Sequence, residues 1–155
     1  MKAFQTQSEA RSESLVDAIA PLRTLTILGL LGIALIHLLD LPGTIGPSPV
    51  QGAGYLLIMA GCIATSAALL HAISPGRWVA AMVLGALPAG AYVLTRTVGL
   101  PFDTSDIGNW GDPLGTASLF VEGLVVVFGA YGFFLNRIGV RAGAPRLGRI
   151  GEIRG

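Results

Sequence analysis

Three pairs of polar residues with helical spacing are the features of this sequence that could do chemistry. The pairs are His37 with Asp40, Tyr92 with Arg96, and Ser118 with Glu122. Because residues three or four apart lie on one face of a helix, the members of each pair could act together. A histidine with carboxylates can bind a metal ion or transfer protons, whereas an arginine and a glutamate can pair or hold a charged ligand.

His37 has the widest choice of roles. Together with Asp40 and Glu122 it could supply one nitrogen and two carboxylates to a metal ion such as Zn²⁺, Fe²⁺ or Cu²⁺. Alternatively, His37 is a hydrogen-bonded packing residue whose ring is oriented by Asp40. Haem ligation by His37 and His71 together is not expected, because the topology derived below puts the two residues a full membrane depth apart.

Arg96 and Glu122 form the predicted ion pair, since they lie on apolar segments joined by a single loop. The pair could fix two helices to one another, or it could bind an ion or a substrate. The sequence contains no GxSxG, Walker, HExxH or CxxC motif. It therefore predicts a protein without enzymatic activity, with the alternative that His37 serves as a base in a membrane enzyme.

Composition places the chain in the membrane class. Of 155 residues, 52% are hydrophobic and 12% are charged, and the mean hydropathy is +0.69. Soluble domains carry about 25% charged residues. A net charge of +1 argues against a nucleic-acid partner. A single cysteine, Cys62, excludes an intrachain disulfide.

Four apolar runs are long enough to span a bilayer, which takes about 20 residues each. They predict an all-α protein with a transmembrane domain over 22–138, made of spans 22–41, 53–73, 78–98 and 116–138. A polar tail with a loose turn or a short interfacial helix precedes it over 1–21, and a basic tail follows over 139–155. Ser74–Arg77 predicts a tight turn, so the small residues of the second and third spans should face each other.

The basic residues predict the orientation. An up-down-up-down bundle with both termini in the cytoplasm puts nine of the ten Lys and Arg residues inside, and only Arg96 lies near the outer end. We therefore expect a multi-pass protein of the bacterial cytoplasmic (inner) membrane.

This topology brings distant polar residues to one level near the outer face. The predicted outer polar cluster consists of His37, Asp40, Tyr55, Tyr92, Arg96, Ser118 and Glu122. The loop 99–115 lies over it, and Thr116 is the expected N-cap of the fourth helix. Loop residues singled out as lid, interface or Ca²⁺ candidates are Phe102, Asp103, Asp106, Trp110 and Asp112. Asx turns would explain the aspartates without a metal.

The segment Thr95–Pro101 carries an S/T-R-T-x-G-L-P motif, followed by Trp110, Pro113–Gly115 and a glutamate in the next span. With Ile36-His37-Leu38 late in the first span, this pattern resembles a group of uncharacterised four-span bacterial membrane proteins, chiefly actinobacterial. The similarity covers about half of the chain. Many of those proteins have a second histidine after the first span, which this chain lacks. The resemblance implies the topology and the importance of the outer layer.

Two functions fit these features. The first is a non-enzymatic accessory or scaffolding subunit of a larger membrane complex, with other membrane proteins or further copies of the chain as partners. The alternative is a small-molecule or metal-binding membrane protein, a transport or redox subunit that uses the outer polar cluster.

Overall fold

Four α-helices make up the part of the chain that the computed structural model describes, residues 2–100 and 104–143; side chains are described for 17–100 and 104–138. The helices are α1 (Lys2–Thr44), α2 (Pro49–His71), α3 (Pro75–Thr97) and α4 (Pro113–Gly143). No β-strand occurs within these ranges. The predicted all-α class is therefore confirmed.

Each helix contains a segment that is long and apolar enough to cross a membrane. The segments are Asp17–Thr44, Pro49–His71, Pro75–Thr97 and Pro113–Ile138, with mean hydropathies between 1.6 and 2.0. Large apolar side chains such as Leu57, Phe120 and Phe134 remain exposed along these segments. Such exposure is expected where side chains face lipid rather than water.

The N-terminal segment differs from the prediction. We expected a polar tail before a span at 22–41, whereas α1 is helical from Lys2 to Thr44. Residues 2–20 contain neither glycine nor proline, so no residue interrupts the helix before Pro21. At the other terminus α4 continues to Gly143, so residues 139–143 of the predicted tail are helical, and the rest of that tail lies outside the described residues.

The apolar core joins all four helices. Its buried members are Ile27, Leu30, Ile33 and Ala34 of α1, Cys62 and Leu69 of α2, Ala81 of α3, and Val125 of α4. A second cluster forms around Trp78, which is fully buried. A Cβ atom on Gly132 of α4 would lie 2.6 Å from the Trp78 ring, so glycine makes room for the indole.

The small residues of α3 pack against α4, which corrects the predicted pairing with α2. A Cβ atom on Gly85 would lie 2.8 Å from the backbone carbonyl oxygen of Glu122. On α2, Ala60 and Ala64 are exposed. These small residues therefore face α4 rather than α2, the neighbouring helix in the sequence, and Gly132 of α4 leaves room for the Trp78 ring on the same side.

A short connection joins α2 and α3, but it consists of residues 72–74, because Pro75–Arg77, which were predicted to form the turn, begin α3. Two arginines hold the end of α2 there. Arg23 of α1 donates from Nη2 to the carbonyl oxygen of Leu70 at 2.7 Å. Arg77 of α3 donates from Nη1 to the carbonyl oxygen of Ala72 at 2.5 Å. Carbonyl groups at a helix C-terminus lack intrahelical donors, so both contacts stabilise this end of α2.

Candidate functional site

A cavity of about 650 Å³ lies between the helices at the end where α1 and α3 finish and α2 and α4 begin. We call it the polar cavity. Its lining includes all seven residues of the predicted cluster, namely His37, Asp40, Tyr55, Tyr92, Arg96, Ser118 and Glu122. The four helices therefore bring together residues that are as far apart as 85 positions in the sequence.

Arg96 is held by acidic residues of the loop that follows α3. Its side chain is only 7% exposed, and Nη1 lies 2.7 Å from Oδ2 of Asp106. Nη2 lies 3.4 Å from Oδ2 of Asp112. The guanidinium carbon also stacks 4.6 Å from the centre of the Tyr92 ring. The guanidinium thus has two carboxylates and an aromatic face as neighbours.

The predicted ion pair between Arg96 and Glu122 is not formed. The reason is the path of the loop, which folds back over α3. Gly108, with a φ of 79° that favours glycine, donates its N–H to the carbonyl oxygen of Arg96 at 2.9 Å. Because the loop returns in this way, Asp106 rather than Glu122 forms the ion pair with the guanidinium of Arg96.

Asp112 also begins α4, and this corrects the prediction that Thr116 is the N-cap. Its carboxylate accepts hydrogen bonds from the N–H groups of Leu114 at 3.1 Å and Gly115 at 3.2 Å. Pro113 occupies the first helical position, where a missing N–H costs nothing. The dipeptide Asp112-Pro113 ahead of an apolar run was the signal for this start.

The other loop candidates have separate positions. Trp110 is 48% exposed, and its ring contacts the Tyr92 ring edge-on at 6.1 Å between centres. Asp106 and Asp112 are occupied by Arg96 and by the start of α4. The remaining two candidates, Phe102 and Asp103, lie outside the described residues.

Glu122 is the most deeply buried charged residue of the polar cavity. It is 1% exposed, and its Oε1 accepts a hydrogen bond from Ser118 Oγ at 2.5 Å. Its second oxygen, Oε2, has no hydrogen-bond partner among the described residues. The same holds for Nε of Arg96 and for the hydroxyl of Tyr92. Three polar atoms of the lining residues are therefore buried and unpaired.

His37 and Asp40 are both fixed, but not by each other. Because a carbonyl oxygen can only accept, His37 donates from Nδ1 to the carbonyl oxygen of Ile33 at 2.9 Å, which leaves Nε2 as the free ring nitrogen. The ring also meets Tyr55 edge-on at 4.7 Å between centres. Asp40 instead accepts hydrogen bonds from the hydroxyls of Tyr55 at 2.8 Å and Thr44 at 3.4 Å.

The geometry gives no support to the predicted metal site. In the part of the chain that the structure describes, no three His, Cys, Asp or Glu side chains form a group that could hold a metal ion. His37, Asp40 and Glu122 share the cavity without converging, and Asp40 is engaged by hydroxyls. His71 lies at the C-terminal end of α2, away from the residues that line the cavity.

The lining combines acidic and apolar side chains. It carries four carboxyl groups, those of Asp40, Asp106, Asp112 and Glu122, against the single guanidinium of Arg96. The apolar part includes Ile36, Val50, Ile58, Leu87, Leu100 and Leu114. Mostly apolar walls with a few placed polar groups are typical of small-molecule sites.

The fold is that of a helical, multi-pass membrane protein, and the polar cavity lies between its helices. A comparison of the chain with protein-family models, with curated proteins and with solved structures gives no match. The residues that line the polar cavity are therefore the basis for inferring its function.

Proposed function

We propose that this protein binds a small molecule in the polar cavity, as a receptor or transport protein of the membrane. The observation that carries the proposal is the pair of unpaired polar atoms, Glu122 Oε2 and Arg96 Nε, on residues more than nine-tenths buried beside the cavity. A buried polar group without a partner costs about 1–3 kcal/mol. A bound molecule that hydrogen-bonds to either atom would remove part of this cost.

The distribution of basic residues supports placing the polar cavity at the outer face of a bacterial cytoplasmic membrane. Arg23 and Arg77 lie at the opposite end of the bundle, where they bind the C-terminus of α2. Lysines and arginines concentrate on the cytoplasmic side of membrane proteins. With this orientation, the loop residues Leu100, Asp106, Asn109 and Asp112 line the outer side of the cavity.

The proposal is tested by purifying the protein from its native membranes in a mild detergent and measuring its intact mass. We expect a species heavier than the 16.0 kDa chain by the mass of a small molecule. The matched variants are Gly54→Leu and Gly123→Leu. A Cβ atom at either position meets no other atom within 4 Å, but only Gly54 lines the cavity.

Gly54→Leu should therefore lose the bound molecule, because its side chain fills the space, whereas Gly123→Leu should retain it. If the wild-type protein is empty, or if both variants retain the same molecule, the polar cavity is not the binding site and the proposal fails.

A second candidate function, an accessory subunit of a larger membrane complex, is favoured by one observation. The stripe of small residues on α2 is left uncovered, with Ala60 and Ala64 exposed. Small residues at spacing four allow close helix contacts in lipid. The same mass measurement tests this role, because a subunit would carry defined partner proteins that Ala64→Phe releases and that Gly123→Leu does not.

A further inference from the structure

Two carboxyl groups of the polar cavity have no cationic partner among the described residues. Asp40 accepts hydrogen bonds from the hydroxyls of Tyr55 and Thr44. Glu122 accepts one from the hydroxyl of Ser118. Hydroxyl groups stabilise a carboxylate without neutralising its charge. The cavity therefore holds more acidic groups than basic ones, and a carboxyl group as buried as Glu122 carries a negative charge at low cost only when a cation lies beside it.

The one guanidinium group that lines the cavity already has anionic partners. Arg96 lies between the carboxylates of Asp106 and Asp112, and the face of Tyr92 covers it. Only its Nε–H remains unpaired. An anionic ligand would have to displace these carboxylates, and its own charge would oppose ionisation of the nearby carboxyl groups. A cationic ligand would meet them as opposite charges, at a depth where charge interactions are stronger than in water.

The cavity is also open between α2 and α3. Four exposed apolar residues line it: Leu114 of α4 and, beside this opening, Val50 of α2 together with Leu87 and Ala91 of α3. All four lie inside candidate membrane spans, where exposed apolar side chains are expected to face lipid. Deeper in the protein the same helices touch, since a Cβ atom on Gly61 would lie 2.7 Å from Leu84. The two helices thus close at one end and separate at the other.

On the basis of the binding function proposed above, we propose that the ligand is a lipophilic organic cation. Its charged group, an ammonium or a similar donor, hydrogen-bonds to the unpaired Oε2 of Glu122, and the charge of Asp40 adds to the attraction. Its apolar body lies against Ile58 and Leu87 and reaches the bilayer between α2 and α3. An apolar molecule with one positive charge satisfies both the acidic and the apolar parts of the lining.

Three probes of one shape separate the effect of charge from that of fit: 1-aminoadamantane, 1-adamantanol and 1-adamantanecarboxylate. Their binding is measured by calorimetry at neutral pH to the full chain in lipid nanodiscs, with empty nanodiscs subtracted to remove partition into lipid. We expect the amine to bind at least about tenfold more tightly than the alcohol, and the carboxylate to bind most weakly. Gly54→Leu should weaken all three.

The charge preference should depend on Glu122. In Glu122→Gln, whose side chain has nearly the same shape, the amine should lose its advantage while the alcohol binds as before. Asp17→Asn is the matched control, because it removes an exposed carboxylate that does not line the cavity. The preference should survive in this control.

The outcomes separate this inference from the binding function itself. Preferential binding of the carboxylate, equal binding of all three probes, or no binding at all would overturn the cation assignment. So would a preference for the amine that persists in Glu122→Gln. The binding function is judged separately, by the mass measurement. If the purified protein carries a native molecule that Gly54→Leu loses, the binding function stands even when the cation assignment fails.

Discussion

Replacing Gly85 with alanine should force α3 and α4 apart directly beneath the polar cavity. The new Cβ atom would lie 2.8 Å from the carbonyl oxygen of Glu122 and 3.1 Å from Cγ2 of Val126. Ordinary contact begins at 3.4 Å, so the two backbones must separate by roughly half an ångström. Overpacking of this kind costs about 1–3 kcal/mol of the free energy of unfolding.

Gly90→Ala is the matched control on the same helix. A Cβ atom at Gly90 meets no other atom within 4 Å. Both substitutions gain the same helix propensity, up to about 1 kcal/mol, so this contribution cancels when the two variants are compared. The difference between them, about 1–3 kcal/mol, therefore measures the contact between α3 and α4.

Unfolding of both variants can be followed by the reactivity of a buried cysteine. Cys62 is the single cysteine of the sequence and is fully buried. Labelling with a maleimide at increasing concentrations of dodecyl sulfate follows the fraction of unfolded protein, and Gly85→Ala should become reactive at a lower concentration than Gly90→Ala. If the two variants differ by less than about 0.5 kcal/mol, the close packing at Gly85 described above is refuted.

Substitutions at two further positions, Asp112 and Tyr55, test contacts of residues that line the polar cavity. Asp112→Ala removes the N-cap of α4 and one ion pair of Arg96, and should lower the free energy of unfolding by about 1–3 kcal/mol in the same assay. Asp112→Asn should recover about half of this loss, because asparagine also caps helices; equal losses would contradict the capping role. Tyr55→Phe removes the hydrogen bond to Asp40, so amide hydrogen exchange should accelerate over 49–56 and stay unchanged at the other end of α2. Unchanged exchange over 49–56 would show that this bond does not hold the helix.

The sequence could predict that seven polar residues lie at one level of the protein, but it could not predict which of the residues around the cavity pair with each other. Depth along a helix follows from counting residues at about 1.5 Å each once the topology is assumed. This is why residues as distant as His37 and Glu122 were expected at one level, and they line one cavity. The partner of Arg96 depends on the path of an irregular loop, whose return through Gly108 has no periodic signal.

Helix contacts show the same limit of sequence reasoning. Small residues at spacing four predict that some helix approaches closely, but they do not specify which one. On α3 the partner is α4, where Gly85 lies against the backbone of Glu122 and Gly132 leaves room for the Trp78 ring. The role of Asp112 could have been predicted, since an aspartate followed by proline is a strong helix start. The prediction of Thr116 as the N-cap places the start of α4 three residues past Pro113, where the helix begins.

The two arginine contacts fix the C-terminal end of α2, whereas its N-terminal end is held by the hydrogen bond from Tyr55 to Asp40 and by the packing of Gly52 against Ile45. Arg23 and Arg77 fix the carbonyl oxygens of Leu70 and Ala72. A helix of 23 residues is roughly 35 Å long. A rotation of about 5° around the anchored end would therefore displace the N-terminal end by about 3 Å. A small rotation at the fixed end is thus amplified at the opening between α2 and α3, and the hydrogen bond from Tyr55 to Asp40 opposes it.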